Sequence, residues 1–183
     1  MTAITDGVTN RLLELAHQQL GPAPVPYAWV AAGSQGRCEQ TTKTDQDDCL
    51  ILDNSFDEAA HGDYFAALAT FVCDGLDAFG YVYCPGDMMA TNKQWRVTLS
   101  KWQHYFTLWI DQLDPHSLML TCVFFDLRCV GGTASLLDTL REGFLEQAKA
   151  NGIFQAFMVG NALGHKPALN WLGNLDWRAA KKH

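Results

Sequence analysis

Apolar residues recur every three to four positions in several segments of the chain, which is the spacing of one helix face. The first segment predicts a helix from about Gly7 to Leu20, and the second predicts a helix capped by Asp63 and ended at Gly80. Two later helices are predicted from these apolar stripes: Trp95, Leu99, Trp102, Phe106 and Trp109, and then Leu136, Leu137, Leu140, Phe144 and Ala148. We expect the aromatic stripe to be core packing, preceded by a capping box of Thr91 and Gln94.

Three short apolar runs predict the strands of a sheet. They are Tyr27–Ala32, Asp48–Asp53 and Leu118–Asp126. The last run is almost wholly apolar, so we expect it in the centre of the sheet. Because strands alternate with helices, the pattern predicts a layered α/β or α+β domain whose sheet has at least three strands.

The predicted elements divide the chain into three parts. Residues 1–26 contain the first helix and a proline-rich connector, and residues 27–152 contain all the predicted strands. Residues 153–183 form a tail that we expect to be helical. Within this tail, Asn161, His165 and Lys166 are either contacts to a ligand or the exposed end of a helix.

Charge and cysteine content narrow the function classes. The 183 residues include 13 Lys and Arg against 20 Asp and Glu, so we expect no nucleic-acid partner, since phosphate backbones require clustered cations. No apolar run reaches about 18 residues and the N-terminus has no apolar core, so neither a membrane span nor a signal peptide is expected. The six cysteines form no C-x-x-C pair, which favours reduced thiols in a cytoplasmic protein.

A glycine-rich turn follows the first predicted strand and contains Gly33, Ser34 and Gly36. Glycine lets the backbone approach a ligand closely, and a helix that began here would present free N–H groups to an anion. Ser34 adds a hydroxyl donor, and Arg37 adds a cation. The turn is therefore a candidate phosphate site, although most Gly-Ser turns only connect two elements.

Asp45 and Asp47 lie two residues apart in a segment that we expect to be extended, so their side chains point to the same face. Two adjacent carboxylates repel each other unless a cation lies between them, and oxygen ligands of this kind suit Mg²⁺ or Mn²⁺. The alternative is a polar turn before the next strand. From residue 44 to residue 92 the chain has ten acidic residues and no Lys or Arg, which indicates either a solvated acidic face or carboxylates that hold cations.

Asp126 ends the predicted central strand and is followed closely by Arg128. A buried carboxylate is either paired with a cation or bound to a metal. Arg128 is the candidate partner for a structural pair. The functional alternative makes Asp126 the third carboxylate of the metal site.

Three blocks of the sequence together resemble the DNA-polymerase-beta-like nucleotidyltransferases. The first block consists of Gly33, Ser34, Gly36, Arg37, Glu39, Gln40, Thr44, Asp45, Gln46 and Asp47. The second consists of Cys84, Pro85, Gly86, Met89, Ala90, Thr91, Asn92, Trp95, Arg96 and Trp102, and the third of Phe124–Arg128 with Gly131. The chain is most similar to the branch that contains the PII-protein uridylyltransferase and the glutamine-synthetase adenylyltransferase, and within it to the nucleotidyltransferases often found beside CBS domains in signalling proteins.

The resemblance implies a nucleotidyltransferase-like mixed sheet flanked by helices in residues 27–152, and a tail that is a truncated substrate-binding segment. It implies transfer of a nucleoside monophosphate from an NTP to a hydroxyl of a protein or small molecule, with release of pyrophosphate. Asp45, Asp47 and Asp126 would hold Mg²⁺ or Mn²⁺, and Asp126 would also orient the attacking hydroxyl.

The same resemblance assigns the phosphates to the glycine turn. Gly33 and Ser34 would cradle them, with Gly36 in the same turn. Arg37 would neutralise phosphate charge, and Arg128 would do the same or orient Asp126.

Two departures keep alternative functions open. Asp48 and Cys49 stand where the family pattern has Asn-Ala, and the relatives usually carry a further helical segment. The chain is therefore either an active transferase or a catalytically inactive regulatory module that binds nucleotide or a protein partner. A third possibility is modification of a cationic antibiotic, since the acidic stretch would attract such a substrate.

Overall fold

The structure, a computed structural model, describes residues 1–41, 44–112 and 114–164. Over these residues the chain forms seven helices, four strands and one turn of 3-10 helix at Lys93–Trp95. In chain order the helices and strands are α1 (Thr2–Leu20), β1 (Tyr27–Ala31), α2 (Gly33–Gly36), β2 (Asp48–Leu52), α3 (Glu58–Ala78), β3 (Arg96–Thr98), α4 (Leu99–Gln112), α5 (Pro115–Phe124), β4 (Arg128–Gly132), α6 (Ala134–Ala150) and α7 (Gly152–Gly164).

The four strands form one mixed sheet in the order β3-β2-β1-β4. The central strand β1 is antiparallel to both β2 and β4, whereas β3 runs parallel to β2. A bulge between Trp29 and Val30 shifts the register of β1 against β4. Every residue of β1 and β2 is buried because helices cover both faces. The expected α/β architecture with a mixed sheet of at least three strands is confirmed.

Each face of the sheet carries its own apolar core, since successive side chains of a strand point to opposite faces. Tyr27 and Trp29 pack in the core that contains α1 and α3, and Ala28 and Val30 pack in the core that contains α4, α5 and α6. Trp102 is fully buried in this second core and donates its indole N–H to a backbone carbonyl of β2. The expectation that the aromatic stripe is core packing is therefore confirmed.

The strand predicted over Leu118–Asp126 is wrong, because this segment forms most of helix α5. The Asp114 carboxylate accepts hydrogen bonds from two backbone N–H groups of the first turn, and Pro115 fits the first helical position. The buried positions follow helical spacing: Ser117, Leu120, Thr121 and Phe124. An apolar run alone is compatible with a buried strand or a buried helix. Asp126 consequently lies in the bend between α5 and β4 rather than at the end of a strand.

Two predicted helix starts are also wrong. α1 begins at Thr2 rather than near Gly7. α3 begins directly after Asp57, whose carboxylate accepts the Ala60 N–H, so Asp63 lies inside the helix and does not cap it. In both cases the apolar residues of the first turn are exposed and lie outside the buried stripe, so the periodicity of that stripe places the start too late.

The predicted capping box of Thr91 and Gln94 does not form. The side chain of Asn92 instead accepts the backbone N–H of Gln94 and caps the 3-10 turn. β3 then intervenes before α4 begins at Leu99. Trp95 is therefore a core residue of the 3-10 turn, separated from the helix that carries the rest of its stripe.

The C-terminal part of the described chain is helical, as predicted. α6 ends at Ala150, and α7 follows from Gly152 to Gly164. Asn161 lies in α7, whereas His165 and Lys166 lie outside the described residues. None of the helices that the structure describes combines the length and the apolar character needed to cross a membrane.

Candidate functional site

The one-turn helix α2 follows β1 almost directly and brings its two glycines against two acidic segments. Gly33 has a φ of +52°, and a Cβ at this position would overlap Asp47 Oδ2. A Cβ at Gly36 would overlap the backbone carbonyl oxygen of Asp126. Glycine at both positions is thus what allows the turn to touch both acidic segments.

Hydrogen bonds join this turn to the segment that carries the aspartates. The backbone N–H of Ala32 donates to the Asp47 carbonyl oxygen at 2.8 Å. The hydroxyl oxygens of Ser34 and Thr44 lie 3.1 Å apart. Gly33 and Ser34 therefore lie beside Asp47, although it is more than ten positions away along the chain.

The segment 45–48 is extended and runs beside the loop 82–88. The Gln46 N–H donates to the Val82 carbonyl oxygen at 3.0 Å, and the Asp48 N–H donates to the Met88 carbonyl oxygen at 3.1 Å. These two bonds are made by alternate residues, as in a strand. The acidic segment is therefore held on both sides, by the end of β1 and by this loop.

Because the segment is extended, its side chains alternate in direction. Asp45 and Asp47 share one face, as the sequence predicts. Gln46 points the other way, and its amide donates to the carbonyl oxygens of Cys73 and Tyr81 at 3.0 and 2.7 Å. This buried amide ties the aspartate segment to α3 and to Tyr81, three residues beyond the end of α3.

Asp45 and Asp47 meet Cys84 in a three-residue group that has the composition of a metal site. One ligand atom from each residue lies within 4.8 Å of the other two. The Cys84 thiol donates to Asp47 Oδ1 at 3.4 Å. Carboxylate oxygens are the ligands that Mg²⁺ and Mn²⁺ prefer, whereas a sulfur ligand suits softer ions.

The electrostatics of this group favour a cation. Burial, followed by the charge of Asp45, raises the pKa of Asp47 above its usual value, while the Cys84 hydrogen bond and the Arg37 charge lower it. Burial, with a further contribution from the charge of Asp47, raises the pKa of the Cys84 thiol. Both pKa shifts show that negative charge on Asp47 and Cys84 is unfavourable. A bound divalent cation would offset this electrostatic cost.

The Asp48 side chain points away from the face that Asp45 and Asp47 share, and it is completely buried. Its Oδ1 accepts the Ala90 N–H at 2.7 Å, and the Cys73 thiol lies 3.9 Å from the same oxygen. Burial raises the pKa of this carboxyl from 3.8 to about 7. The departure from the family pattern at this position therefore changes the core beneath the site and leaves the Asp45/Asp47 face unaltered.

Asp126 lies beside Arg37, whose charge also lowers the pKa of Asp47. Arg37 Nη1 is 3.8 Å from Asp126 Oδ2, and Arg37 Nε donates to Glu39 at 2.8 Å. The Asp126 side chain is 54% exposed, and it is not part of the three-residue group of Asp45, Asp47 and Cys84. The structure thus brings Asp126 to the glycine turn through its backbone and through Arg37.

Arg128 pairs with Asp6 of α1, and the structural pair with Asp126 considered above does not form. Two nitrogens of the Arg128 guanidinium each lie 2.9 Å from an Asp6 oxygen, and Nη2 also donates to the Gln35 carbonyl oxygen at 3.1 Å. The Gln35 amide donates to Asp6 as well, at 3.0 Å. Asp6 and Arg128 together fix the helix α2 from behind.

Two residues of the site region were not singled out from the sequence. Cys84 belongs to the Cys-Pro-Gly turn of the second matching block, and that turn was the available signal. Asp6 carries no signal of its own, because it lies before the predicted start of α1 and contacts residues about 30 and 120 positions away.

Comparison with known protein families assigns the chain to a family. A family model described as "Putative nucleotidyltransferase DUF294" matches residues 1–116, which include the glycine turn, both aspartates and Cys84. No curated protein matches the chain. Because the match covers more than half of the 183 residues, the chain belongs to this nucleotidyltransferase family.

Proposed function

We propose that this protein is a Mg²⁺- or Mn²⁺-dependent enzyme that moves a nucleoside monophosphate from an NTP to a hydroxyl of a protein or small molecule, with release of pyrophosphate, in cytoplasmic signalling. The observation that carries the proposal is the contact of Gly33 with the Asp45/Asp47 pair in a member of this family. The six cysteines are free thiols, which supports a reducing compartment. The net charge of −7 argues against a nucleic-acid substrate.

The glycine turn is the proposed phosphate site. Gly33 and Gly36 let the turn lie against Asp47 and the Asp126 backbone, Ser34 supplies a hydroxyl donor, and Arg37 supplies a positive charge. The role of Arg128 in this proposal is to position the turn, because its guanidinium is engaged by Asp6 and by the Gln35 carbonyl.

The aspartate pair is the proposed metal site. Its donor set fits a hard divalent cation, since two carboxylates with restrained backbones share one face. A bound cation would polarise the reacting phosphate and offset the charge that develops on it. The contribution of the chain is to hold Asp45 and Asp47 at a fixed distance from the phosphate turn, and such positioning supplies much of the rate in reactions of this type.

Asp126 is the proposed contact to the acceptor. Its carboxylate is half-exposed beside Arg37, at the open side of the glycine turn. An acceptor hydroxyl that approaches from solvent would donate a hydrogen bond to this carboxylate and thereby be oriented towards the α-phosphate. The acceptor itself is proposed only as a class, a hydroxyl of a protein or small molecule.

Calorimetry of nucleotide binding tests the proposal. ATP and UTP are titrated into the full chain with Mn²⁺ or Mg²⁺ and again with a chelator, for the wild type and for Asp45→Asn/Asp47→Asn. We expect metal-dependent binding of at least one nucleotide in the wild type and none in the double variant. Glu142→Gln/Glu146→Gln on the exposed face of α6 removes the same charge and should bind as the wild type does. Equal binding by the wild type and the aspartate variant would refute the assigned site.

A non-catalytic nucleotide-binding module is the second candidate. One observation favours it: the Asp126 carboxylate stands outside the group formed by the aspartate pair and Cys84. Pyrophosphate release, measured with a panel of protein and small-molecule hydroxyl acceptors that includes cationic antibiotics, separates the two functions. Turnover that Asp126→Asn abolishes would establish the transferase, whereas tight metal-dependent binding without turnover across the panel would establish the module.

A further inference from the structure

Cys84 lies beside Asp45 and Asp47, although transfer of a nucleotide does not require a thiol at this position. Its Sγ lies 3.4 Å from Asp47 Oδ1, and one oxygen of Asp45 lies within 4.8 Å of both atoms. Bonds of about 2.0–2.3 Å in a tetrahedral zinc site set neighbouring ligand atoms about 3.5 Å apart. The thiol is thus at the spacing of a neighbouring metal ligand from Asp47, and Asp45 lies within 4.8 Å of both.

The position of Cys84 is fixed by its backbone. The Cys84 N–H donates to Met89 Sδ at 3.2 Å, and Met89 is buried, with 1% of its surface exposed. The Cys84 carbonyl oxygen accepts the Asp87 N–H at 3.0 Å, which closes the turn that follows. The thiol is therefore anchored to the core beneath the loop, and the aspartates opposite it are anchored by their own backbone bonds.

The chemistry of the three side chains distinguishes between metal ions. Mg²⁺ is bound by oxygen ligands and gains little from sulfur, whereas thiolates select softer ions such as Zn²⁺. We propose that Asp45, Asp47 and Cys84 form a three-ligand site for a thiophilic divalent cation, which competes with Mg²⁺ for the aspartates and so inhibits the protein. The competition rests on the proposed function, because it needs the same carboxylates to serve Mg²⁺.

When a cation binds to this site, it replaces the proton of the Cys84 thiol. The Cys84 S–H bond breaks, its proton passes to solvent, and a sulfur–metal bond forms. No electrons are transferred. The fourth position of a tetrahedral ion is left to water, as in three-ligand zinc sites generally.

Co²⁺ is a direct probe of the thiol, since a cobalt–thiolate bond absorbs in the near ultraviolet. We expect the nucleotide-free full chain to develop this absorption with one equivalent of Co²⁺ and to lose it when Zn²⁺ is added. Cys84→Ser should lack the absorption, while Cys122→Ser, which removes an exposed thiol of α5, should retain it. Zn²⁺ affinity, measured against a competing chelator, should fall at least about tenfold in Cys84→Ser, since even outer-shell partners of a ligand are worth about 10- to 100-fold. Mn²⁺ affinity should fall much less, because Mn²⁺ is bound by the carboxylate oxygens.

A second measurement needs no variant. Alkylation of the wild type, mapped by mass spectrometry, should modify Cys84 slowly in the presence of Zn²⁺ and faster with a chelator, while Cys122 reacts alike in both. An absent cobalt band, a band retained by Cys84→Ser, or alkylation of Cys84 that ignores Zn²⁺ would overturn the inference.

The two proposals fail separately. A wild type that binds Mn²⁺ and nucleotide but shows no cobalt–thiolate band refutes the zinc site and leaves the proposed function intact. A wild type with the band but without metal-dependent nucleotide binding refutes the proposed function and keeps the three-ligand site.

Discussion

Burial of the Asp48 carboxylate costs more free energy than burial of a neutral side chain at the same position would. It is wholly buried, and its two neighbours are a backbone N–H and the thiol of Cys73. Neither neighbour supplies a positive charge, so the protonated form is the one that the interior favours. Asparagine is similar in shape to aspartate and carries no charge.

Asp48→Asn should therefore stabilise the protein in a pH-dependent way. The pKa of Asp48 is about 7 when folded and 3.8 as the ordinary value, so folding takes up a proton and stability falls as pH rises between these values. The shift is worth about 4 kcal/mol at most, since one pKa unit equals about 1.4 kcal/mol. Urea unfolding with a chelator present should show equal stability of variant and wild type near pH 4 and a more stable variant at pH 8.

Asp53 provides the opposite control. It is exposed, and hydrogen bonds from Ser55 lower its pKa, so its stabilising contribution is present at neutral pH and is lost as pH falls through its folded-state pKa. Asp53→Asn should therefore lower the stability slightly at neutral pH and have no effect in acid. Asp48→Asn should raise the stability at neutral pH and likewise have no effect in acid. Parallel pH profiles for Asp48→Asn and the wild type would contradict the assignment of Asp48.

At Gly33, both the backbone conformation and the contact with the proposed metal ligand Asp47 require glycine. Gly33→Ala places a Cβ against Asp47 Oδ2 at a φ of +52°. The left-handed backbone costs about 1–2 kcal/mol for a residue with a Cβ, and the aspartate must also move. We expect loss of Mn²⁺ binding in calorimetry with the fold retained by circular dichroism.

Gly143→Ala is the matched control for this substitution. Gly143 lies within α6, and a Cβ there would meet nothing within 4 Å. Alanine in such a position should raise stability by about 0.5–1 kcal/mol and leave Mn²⁺ binding as it was. If Gly33→Ala bound Mn²⁺ as well as Gly143→Ala did, the contact of Gly33 with Asp47 would have no role in the site.

Among the described elements, α1 contacts the glycine turn from behind. Asp6 accepts from both Gln35 and Arg128, and the Thr5 hydroxyl donates to the buried side chain of Gln40 at 2.8 Å. These contacts connect the first two turns of α1 to both ends of the segment that follows β1. A change in α1 should therefore be felt at the turn.

Arg128→Met tests this connection. The Asp6–Arg128 pair is about three-quarters buried, and hydrogen bonds to charged groups are worth about 1.5–3 kcal/mol, so we expect a loss of that order in urea unfolding. In a double-mutant cycle with Asp6→Asn the two losses should be far from additive. Arg11→Met breaks an ion pair that is 60% and 62% exposed and should cost less than about 1 kcal/mol. Additive losses would show that the pair does not act as a unit.

The sequence predicted some elements well because their local signals agree with their burial. β1 and β2 are short apolar runs ended by polar residues, and both are buried on two faces. α5 was mistaken for a strand because its apolar run has no polar face, although Asp114 and Pro115 marked a helix start. β3 and β4 are short and half-buried, and their pairing partners decide their conformation.

At the scale of the whole molecule, the site could be predicted only in part. Asp45 and Asp47 share a face through local alternation, which a sequence displays directly. The approach of Cys84 depends on the pairing of 45–48 with the loop 82–88, and the position of Asp126 in a bend depends on α5 being a helix. Such long-range placements follow from packing rather than from spacing.

The overall negative charge gives a prediction at this scale. With a net charge of −7, the protein attracts divalent cations over a distance set by the Debye length, which is about 30 Å at 0.01 M salt and about 8 Å at 0.15 M. The dissociation constant for Mn²⁺ should therefore rise several-fold between these conditions. Asp63→Asn/Asp77→Asn on α3 should bind Mn²⁺ more weakly than the wild type at low salt and equally at high salt. A salt-independent constant would show that remote charge is irrelevant to the site.

The borders of the sheet have a consequence for assembly. β3 has three residues and β4 five, the last two of which are glycines. An exposed edge strand can pair with a strand of another molecule through its unpaired backbone N–H and C=O groups. A short edge strand offers few such groups. Extension of the sheet from one molecule to the next is thus discouraged at both ends, and any self-association of this protein should run through its helices.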